Sequence, residues 1–185
     1  MRWGNWVLDT REGCPYGRYE GFAVLLGTIL HFVYGWTNKS VFVAPFSAVN
    51  ESTWEHMKIL YFPLVIYAFI ESRYFGRAEN FWYVKLVGIL AGLLLIPMLF
   101  YGLRGAFGST PDFVNIAIFF IVAAAVFVLE THLFKNGALE FKYPIIPIAA
   151  IVIVAVLFVV FTFITPKLPL FSDPITKTYG LPHGL

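Results

Sequence analysis

The sequence predicts an all-α fold, a polytopic integral membrane bundle of about five transmembrane helices. Hydrophobic residues make up 59% of the 185-residue chain and charged residues only 13%, whereas soluble domains carry about 25% charged residues. A soluble protein of this size has too little interior to bury so much apolar side chain, so lipid is the solvent that suits it. We therefore interpret residues 1–185 as a single membrane domain.

Three long apolar segments predict transmembrane helices, because a bilayer core about 30 Å thick requires roughly 20 apolar helical residues. They lie at residues 82–103, 112–131 and 144–165. Residues 21–38 predict another span, which is free of formal charge but contains His31.

Residues 53–73 predict the fifth span, about 31 Å long at 1.5 Å per residue. Only residues 59–70 of this segment lie between Lys58 and Glu71, and so short an apolar run leaves a re-entrant segment open as the alternative. If the helix spans, we expect Lys58 and Glu71 to extend toward opposite interfaces.

Five spans place the termini on opposite sides, and the positive-inside rule favours a cytoplasmic N-terminus. The cytoplasmic side then carries eight Lys and Arg residues: Arg2, Arg11, Arg18, Arg73, Arg77, Lys85, Lys135 and Lys142. The outer side carries five: Lys39, Lys58, Arg104, Lys167 and Lys177. Residues 1–20 form a polar segment in which arginines alternate with acidic residues, a pattern unlike a signal peptide. We expect a multi-pass protein of the cell membrane.

Composition also excludes several classes of function. The net charge of +2, without a cluster of Lys and Arg, argues against a nucleic-acid partner. The single cysteine, Cys14, rules out an internal disulfide and a CxxC redox centre. The lipid bilayer is the partner that the composition predicts, and the oligomeric state stays open.

Ionisable side chains gather where the first two predicted spans approach the outer interface. His31 lies about five residues before the end of one span, and His56 about four residues after the start of the next, so their depths agree within roughly one turn. Glu51 and Glu55 stand four residues apart, which predicts carboxylates on one side of the helix. Together with Asn115, near the start of the fourth span, these side chains predict an outer polar pocket.

Two imidazoles and two carboxylates suit a divalent metal such as zinc, iron or manganese. The predicted metal ligands are His31, Glu51, Glu55 and His56, and Asn115 is a further candidate for ligand binding. With a shared proton in place of a metal, the same groups form a general acid/base pair. No catalytic residue and no cofactor beyond such a metal is assigned.

Three classes of function remain open. The first is a pocket that binds a cation or a small polar ligand, with transport as its use. The second is a membrane-embedded metal-dependent or acid/base enzyme such as a hydrolase. The third is a structural membrane subunit whose polar residues only cap and lock helices. The spacing of Ser52 and Glu55 supports the third, because it predicts a capping box in which Glu55 binds back to the Ser52 amide.

Two further features have structural interpretations. Charged residues at the inner end of the spans are expected to pair near the interface: Glu71, Arg73, Lys85, Glu130 and His132. The sequence from Gly88 to Gly92 is a GxxxG pattern, which favours close packing inside the bundle. The polar tail, residues 166–185, is either disordered or folded back over the outer mouth on its apolar residues.

Residues 30–34, 50–58 and 171–180 resemble a bacterial multi-pass membrane family known only as a domain of unknown function. The most specific of these segments has the pattern Asn-Glu-Ser-x-Trp-Glu-His-x-Lys, at residues 50–58. The resemblance spans most of the chain and implies a bacterial integral membrane protein with polar motifs at the positions described. It implies no activity, cofactor or partner.

Overall fold

The computed structural model describes residues 15–75, 79–108, 111–139 and 143–181. These residues form five α-helices and no β-strand, which confirms the predicted fold class. The helices are α1 (Pro15–Trp36), α2 (Thr53–Phe75), α3 (Phe81–Phe107), α4 (Asp112–Lys135) and α5 (Ile145–Phe163). Cys14, most of the predicted N-terminal segment and the last four residues of the tail lie outside the described residues.

Three of the helices are long and apolar enough to cross a membrane. They are α3, residues Phe113–Lys135 of α4, and α5, with mean hydropathies of 2.3, 2.5 and 3.1. Large apolar side chains on them face outward, and Leu94, Met98 and Val128 are more than half exposed. Such a surface is costly in water and is solvated by lipid, so these helices associate with a membrane.

α2 is one continuous helix of 23 residues although Pro63 lies inside it. At 1.5 Å per residue it measures about 34 Å, and it does not turn back as a re-entrant segment would. The expectation that its charged side chains extend to the interfaces is wrong. Lys58 and Glu71 are 0% and 4% exposed, because each pairs inside the protein, with Glu55 and Lys85 respectively.

α3 occupies the centre of the packing, against α2, α4 and α5, while α1 packs mainly on α2. The two glycines of the GxxxG pattern lie at the contact with α4. A Cβ on Gly88 would lie 2.7 Å from Glu130 Cγ, and one on Gly92 would lie 2.9 Å from Val126 Cγ2. The pattern therefore serves packing within the bundle, as the sequence predicts.

The tail folds back onto the end of the bundle at which α1 ends and α2 begins, called the outer end below after its predicted orientation. Phe171 is buried and its ring lies 4.6 Å from that of Trp54, centroid to centroid. Ser172 and Tyr179 form an antiparallel bridge that closes the tail into a compact loop. Of the two alternatives for the tail, the folded one is observed for residues 166–181.

Candidate functional site

His31, Glu51 and His56 come together at the outer end of the bundle. His31 Nε2 lies 3.6 Å from Glu51 Oε1, and His56 Nε2 lies 3.7 Å from Glu51 Oε2. The two imidazole centroids are 5.5 Å apart. Each residue offers one ligand atom, and these three atoms all lie within 4.8 Å of one another. We call these three residues the outer group.

Glu55 lies apart from the outer group. Glu51 precedes α2, which begins at Thr53, so the helical spacing that was expected to align the two carboxylates does not apply. Glu55 is 2% exposed, and its Oε2 accepts hydrogen bonds from Lys58 Nζ at 2.6 Å and from the Val49 amide at 3.0 Å. Its carboxylate is satisfied by the protein itself, and its placement gives no support to a role as metal ligand.

The start of α2 is capped differently from the predicted capping box. Glu55 binds back to the Val49 amide rather than to the Ser52 amide. The Ser52 amide donates instead to Asn50 Oδ1 at 2.9 Å, and Ser52 Oγ accepts from the Glu55 amide at 3.4 Å. The segment before α2 is therefore held by its own polar side chains.

Lys58, near the start of α2, is buried and makes three polar contacts. Besides Glu55, its Nζ donates to the Ala44 carbonyl at 2.8 Å and to Thr162 Oγ1 at 3.1 Å. An ammonium has three donors, and all three are used here. Because Thr162 belongs to α5, this lysine joins the α1–α2 connection, α2 and α5. Its signal in the sequence was weak, since a lysine near a helix end predicts an interfacial side chain.

The hydrogen bonding of His56 determines which ring nitrogen is available. Its Nδ1 lies 2.9 Å from the Ser52 carbonyl oxygen, and because a carbonyl only accepts, Nδ1 carries the proton. In the neutral ring Nε2 then presents a lone pair toward Glu51. A lone pair facing a carboxylate oxygen is repulsive unless a proton or a cation lies between them. A histidine bound through Nδ1–H to a backbone carbonyl, with Nε2 available, is typical of metal ligation.

Ser47 binds the turn of α1 that carries His31. Its Oγ accepts from the Tyr34 amide at 2.9 Å and donates to the Leu30 carbonyl. These two backbone groups are the i, i+4 pair of that helical turn. Ser47 thus shapes the turn that presents His31, and the sequence reasoning missed it because a single serine in an apolar connection carries no pattern.

A small cavity beside His56 has room for roughly one water molecule, with a volume of about 10 Å³. Thr53 and Asn115 contribute to its lining. Asn115 Oδ1 is buried and has no hydrogen-bond partner among the described residues, and the same holds for His31 Nδ1. Asn115 therefore lies near the outer group without belonging to it.

The tail contacts the backbone of the outer group. The Glu51 amide donates to Asp173 Oδ2 at 3.4 Å, while Asp173 Oδ1 accepts from the amides of Ile175 at 2.7 Å and Thr176 at 3.1 Å. Burial by itself raises the pKa of Asp173, but these amide hydrogen bonds outweigh it and lower the pKa below its ordinary value. Asp173 is therefore a carboxylate at neutral pH. It too was missed, because a contact across 122 residues leaves no local pattern.

A second charged group lies at the inner end, where Lys85 of α3 stands between Glu71 of α2 and Glu130 of α4. Lys85 Nζ lies 2.5 Å from Glu130 Oε2 and also contacts Glu71 Oε2. All three side chains are at most 5% exposed, so the predicted pairing is present but buried rather than interfacial. His132 is not part of it and bonds Asn136 instead. We call Glu71, Lys85 and Glu130 the inner triad.

Comparison with known proteins yields a family but no named relative. The chain has no significant match among curated proteins or among solved structures. A family model does match over residues 20–181, a range that contains the outer group, the inner triad and the described part of the tail. Because this match covers most of the sequence, the chain belongs to the Family of unknown function (DUF6512).

Proposed function

We propose that the protein is a multi-pass protein of the bacterial cell membrane, with a cytoplasmic N-terminus, that binds a divalent transition-metal cation at its outer end. The ligands are His31, Glu51 and His56, and zinc is the first candidate. The observation that carries the proposal is the pair of imidazole Nε2 atoms turned toward one carboxylate at 3.6 and 3.7 Å. In a tetrahedral zinc site with bonds of about 2.0–2.1 Å, ligand atoms lie roughly 3.3 Å from one another. The two His–Glu contacts need a shift of a few tenths of an ångström to reach this spacing, and the widest pair of the three ligand atoms, within 4.8 Å, needs up to about 1.5 Å.

One structural feature and one sequence feature support the membrane assignment and its orientation. Three helices are long and apolar enough to cross, and α1 and α2 complete five spans. The distribution of Lys and Arg supports the cytoplasmic N-terminus. The outer group then faces the side from which an external cation arrives.

The size of the site favours a cation over a small organic ligand. The cavity beside His56 has room for roughly one water molecule, and the Glu51 side chain is 42% exposed. A cation can therefore reach the group from solution, whereas the cavity beside His56 is too small for a larger polar molecule. Such an exposed entry site suits a cation-binding or transport protein.

A second candidate, a membrane-embedded metal-dependent hydrolase, is favoured by the number of ligands. Three protein ligands leave the fourth tetrahedral position open, and in catalytic zinc sites a water molecule fills that position. Zinc lowers the pKa of bound water to about 7 and so supplies a nucleophile. Two histidines with one glutamate are a known catalytic zinc set.

Elemental analysis of the detergent-purified protein tests the proposal. We expect stoichiometric metal in the wild type and its loss in the double variant His31→Ala/His56→Ala. The matched control is His132→Ala, an exposed histidine at the inner end, which should retain the metal. A wild type that takes up no zinc contradicts the proposal. If the double variant then also unfolds at a much lower temperature than the wild type, the third class of function, a structural membrane subunit, is favoured.

A chromogenic ester separates the two candidates. A binding or transport protein loaded with zinc should not hydrolyse it. Hydrolysis by the zinc-loaded wild type that disappears in His31→Ala/His56→Ala would favour the enzyme.

A further inference from the structure

We propose that Asp173 is a positioning residue of the outer cation site, and that the tail is a strap that holds Glu51 where it can bind the metal. This inference rests on the proposed cation binding by His31, Glu51 and His56. It assigns a role to residues 169–181, which supply none of the three ligands.

Glu51 is the ligand that most needs external support. His31 and His56 belong to α1 and α2, whose backbones are fixed by helical hydrogen bonds. Glu51 lies in the connection before α2, and its side chain is 42% exposed, against 24% and 16% for the two histidines. A ligand on a connection loses more freedom on binding a metal than one on a helix, so prior fixation of its backbone raises affinity.

The tail supplies this fixation through the Glu51 amide and the side chain of the residue before it. Asp173 Oδ2 accepts from the Glu51 amide at 3.4 Å. Asn50 Nδ2 donates to the Gly180 carbonyl at 2.9 Å. Two contacts, one of them to a carboxylate, therefore connect Glu51 and the preceding Asn50 to opposite ends of the tail loop.

The strap is itself anchored independently of Glu51. Asp173 is 5% exposed, and its amide donates to the Thr178 carbonyl at 2.9 Å, which closes the tail loop. Phe171 is 4% exposed and packs on Trp54 of α2. Loss of the Glu51 contact should therefore leave the tail in place.

Two nearly isosteric substitutions remove one contact each. Asp173→Asn keeps Oδ1 as acceptor for the amides within the tail, but its Nδ2 cannot accept from the Glu51 amide. Asn50→Asp keeps Oδ1 as acceptor for the Ser52 amide, but loses the donor to Gly180. The two substitutions change the local charge in opposite directions.

Because the two substitutions change the local charge in opposite directions, they distinguish a positioning role of the tail from an effect of its charge on the cation. If the tail acted only through charge, Asp173→Asn would weaken cation binding and Asn50→Asp would strengthen it. If the tail positions Glu51, both variants bind more weakly. Loss of a group that orients a metal ligand typically lowers affinity about 10–100-fold, and we expect a loss near the lower end for each variant.

The experiment measures zinc affinity of the full-length protein in detergent, by competition with a zinc-chelating dye. Thermal unfolding and hydrogen exchange of the tail are recorded in parallel. We expect weaker zinc binding with an unchanged unfolding temperature, a combination that a merely structural role would not produce. Thr178→Ala is the control within the tail, because it alters an exposed hydroxyl and leaves the Glu51 contact intact; it should bind zinc as the wild type does.

The outcomes are distinguishable. A wild type that binds no zinc overturns the proposed function, and this inference with it. A wild type that binds zinc, with both variants equal to it, overturns only the strap. Tighter binding by Asn50→Asp beside weaker binding by Asp173→Asn also overturns it. If Asp173→Asn fails to fold, Asn50→Asp decides alone: weaker binding supports the strap, and equal or tighter binding overturns it.

Discussion

The outer group and the inner triad are two sets of three ionisable side chains at opposite ends of the bundle, and they differ in burial and in the distances between their charged atoms. In the inner triad, side chains at most 5% exposed meet at hydrogen-bond distance, with Lys85 between two carboxylates. In the outer group the side chains are 16–42% exposed, and the nearest N–O pairs are 3.6 and 3.7 Å apart. These separations exceed a hydrogen bond.

The difference indicates what each group is for. A buried charge that is ion-paired stabilises its helices only as long as its partner is present. A group whose lone pairs face one another across a gap has capacity left for a cation. Ionisable residues near membrane depth are taken as functional by default; here the distances between them, and not their mere presence, separate the structural group from the candidate site.

The largest effect should follow from breaking the inner triad. Lys85→Met leaves two carboxylates without the ammonium between them, and removal of one partner of a buried pair costs about 3–5 kcal/mol. We expect a corresponding loss in the free energy of unfolding, measured by denaturation in detergent, with zinc binding per folded molecule unchanged.

A neutral triad is the control for that variant. Glu71→Gln/Lys85→Met/Glu130→Gln removes the charges together and should recover most of the lost stability, because uncharged groups need no counter-charge. Lys85→Met as stable as the wild type would show that the triad does not hold the helices.

The second largest effect should come from adding zinc. A ligand that binds only the folded state stabilises it by about 2.7 kcal/mol at 100 times its dissociation constant. We expect the unfolding temperature of the wild type to rise with zinc and to fall back with a chelator. In His31→Ala/His56→Ala the addition of zinc should have no effect; an equal rise there would place the binding elsewhere.

The third effect concerns the packing beside the inner triad. Gly88→Ala places a methyl group 2.7 Å from Glu130 Cγ, and overpacking of this kind typically costs about 1–3 kcal/mol. Gly102→Ala, in the same helix with nothing within 4 Å of the added atom, is the matched control and should be neutral or slightly stabilising. Denaturation in detergent measures the free energy of unfolding of both variants. If Gly88→Ala is as stable as Gly102→Ala, the GxxxG pattern has no role in packing.

The smallest effect should arise at the turn of α1 that Ser47 binds. Ser47→Ala removes the hydroxyl that joins the Leu30 carbonyl to the Tyr34 amide. We expect a loss of about 1 kcal/mol, together with weaker zinc binding, because the turn that presents His31 changes shape. Ser72→Ala removes an exposed hydroxyl bond to its own helix and should alter neither quantity. Zinc affinity of Ser47→Ala equal to that of the wild type would refute the link to His31.

The sequence was sufficient for the helices and for part of the site. Apolar length predicted four of the helices directly, and α2, whose apolar run is short, was predicted at residues 53–73 and is observed at Thr53–Phe75. The facing of His31 and His56 followed from equal depth on two connected helices, since an α-helix has a fixed rise per residue. Local, periodic geometry of this kind is what a sequence encodes most directly.

The sequence did not reveal which of the two carboxylates, Glu51 or Glu55, lies beside His31 and His56. The predicted start of α2 at residue 53 already leaves Glu51 outside the helix, so the spacing of four residues could not place the two carboxylates on one side. The position of Glu55 depends on Lys58, whose partners include a backbone carbonyl and a threonine of α5. Ser47 and Asp173 act through contacts between distant segments, which no local spacing reveals.

The contact between Glu51 and Asp173 joins residues 122 positions apart in the chain, and this separation sets the order of assembly. At a synthesis rate of about 5–20 residues per second, Asp173 is added roughly 6–24 s after Glu51. During that interval His31 and His56 are already synthesised while Glu51 lacks its contact with the tail. If the outer group binds a metal as proposed, tight loading therefore has to wait for the synthesis of residues 169–181.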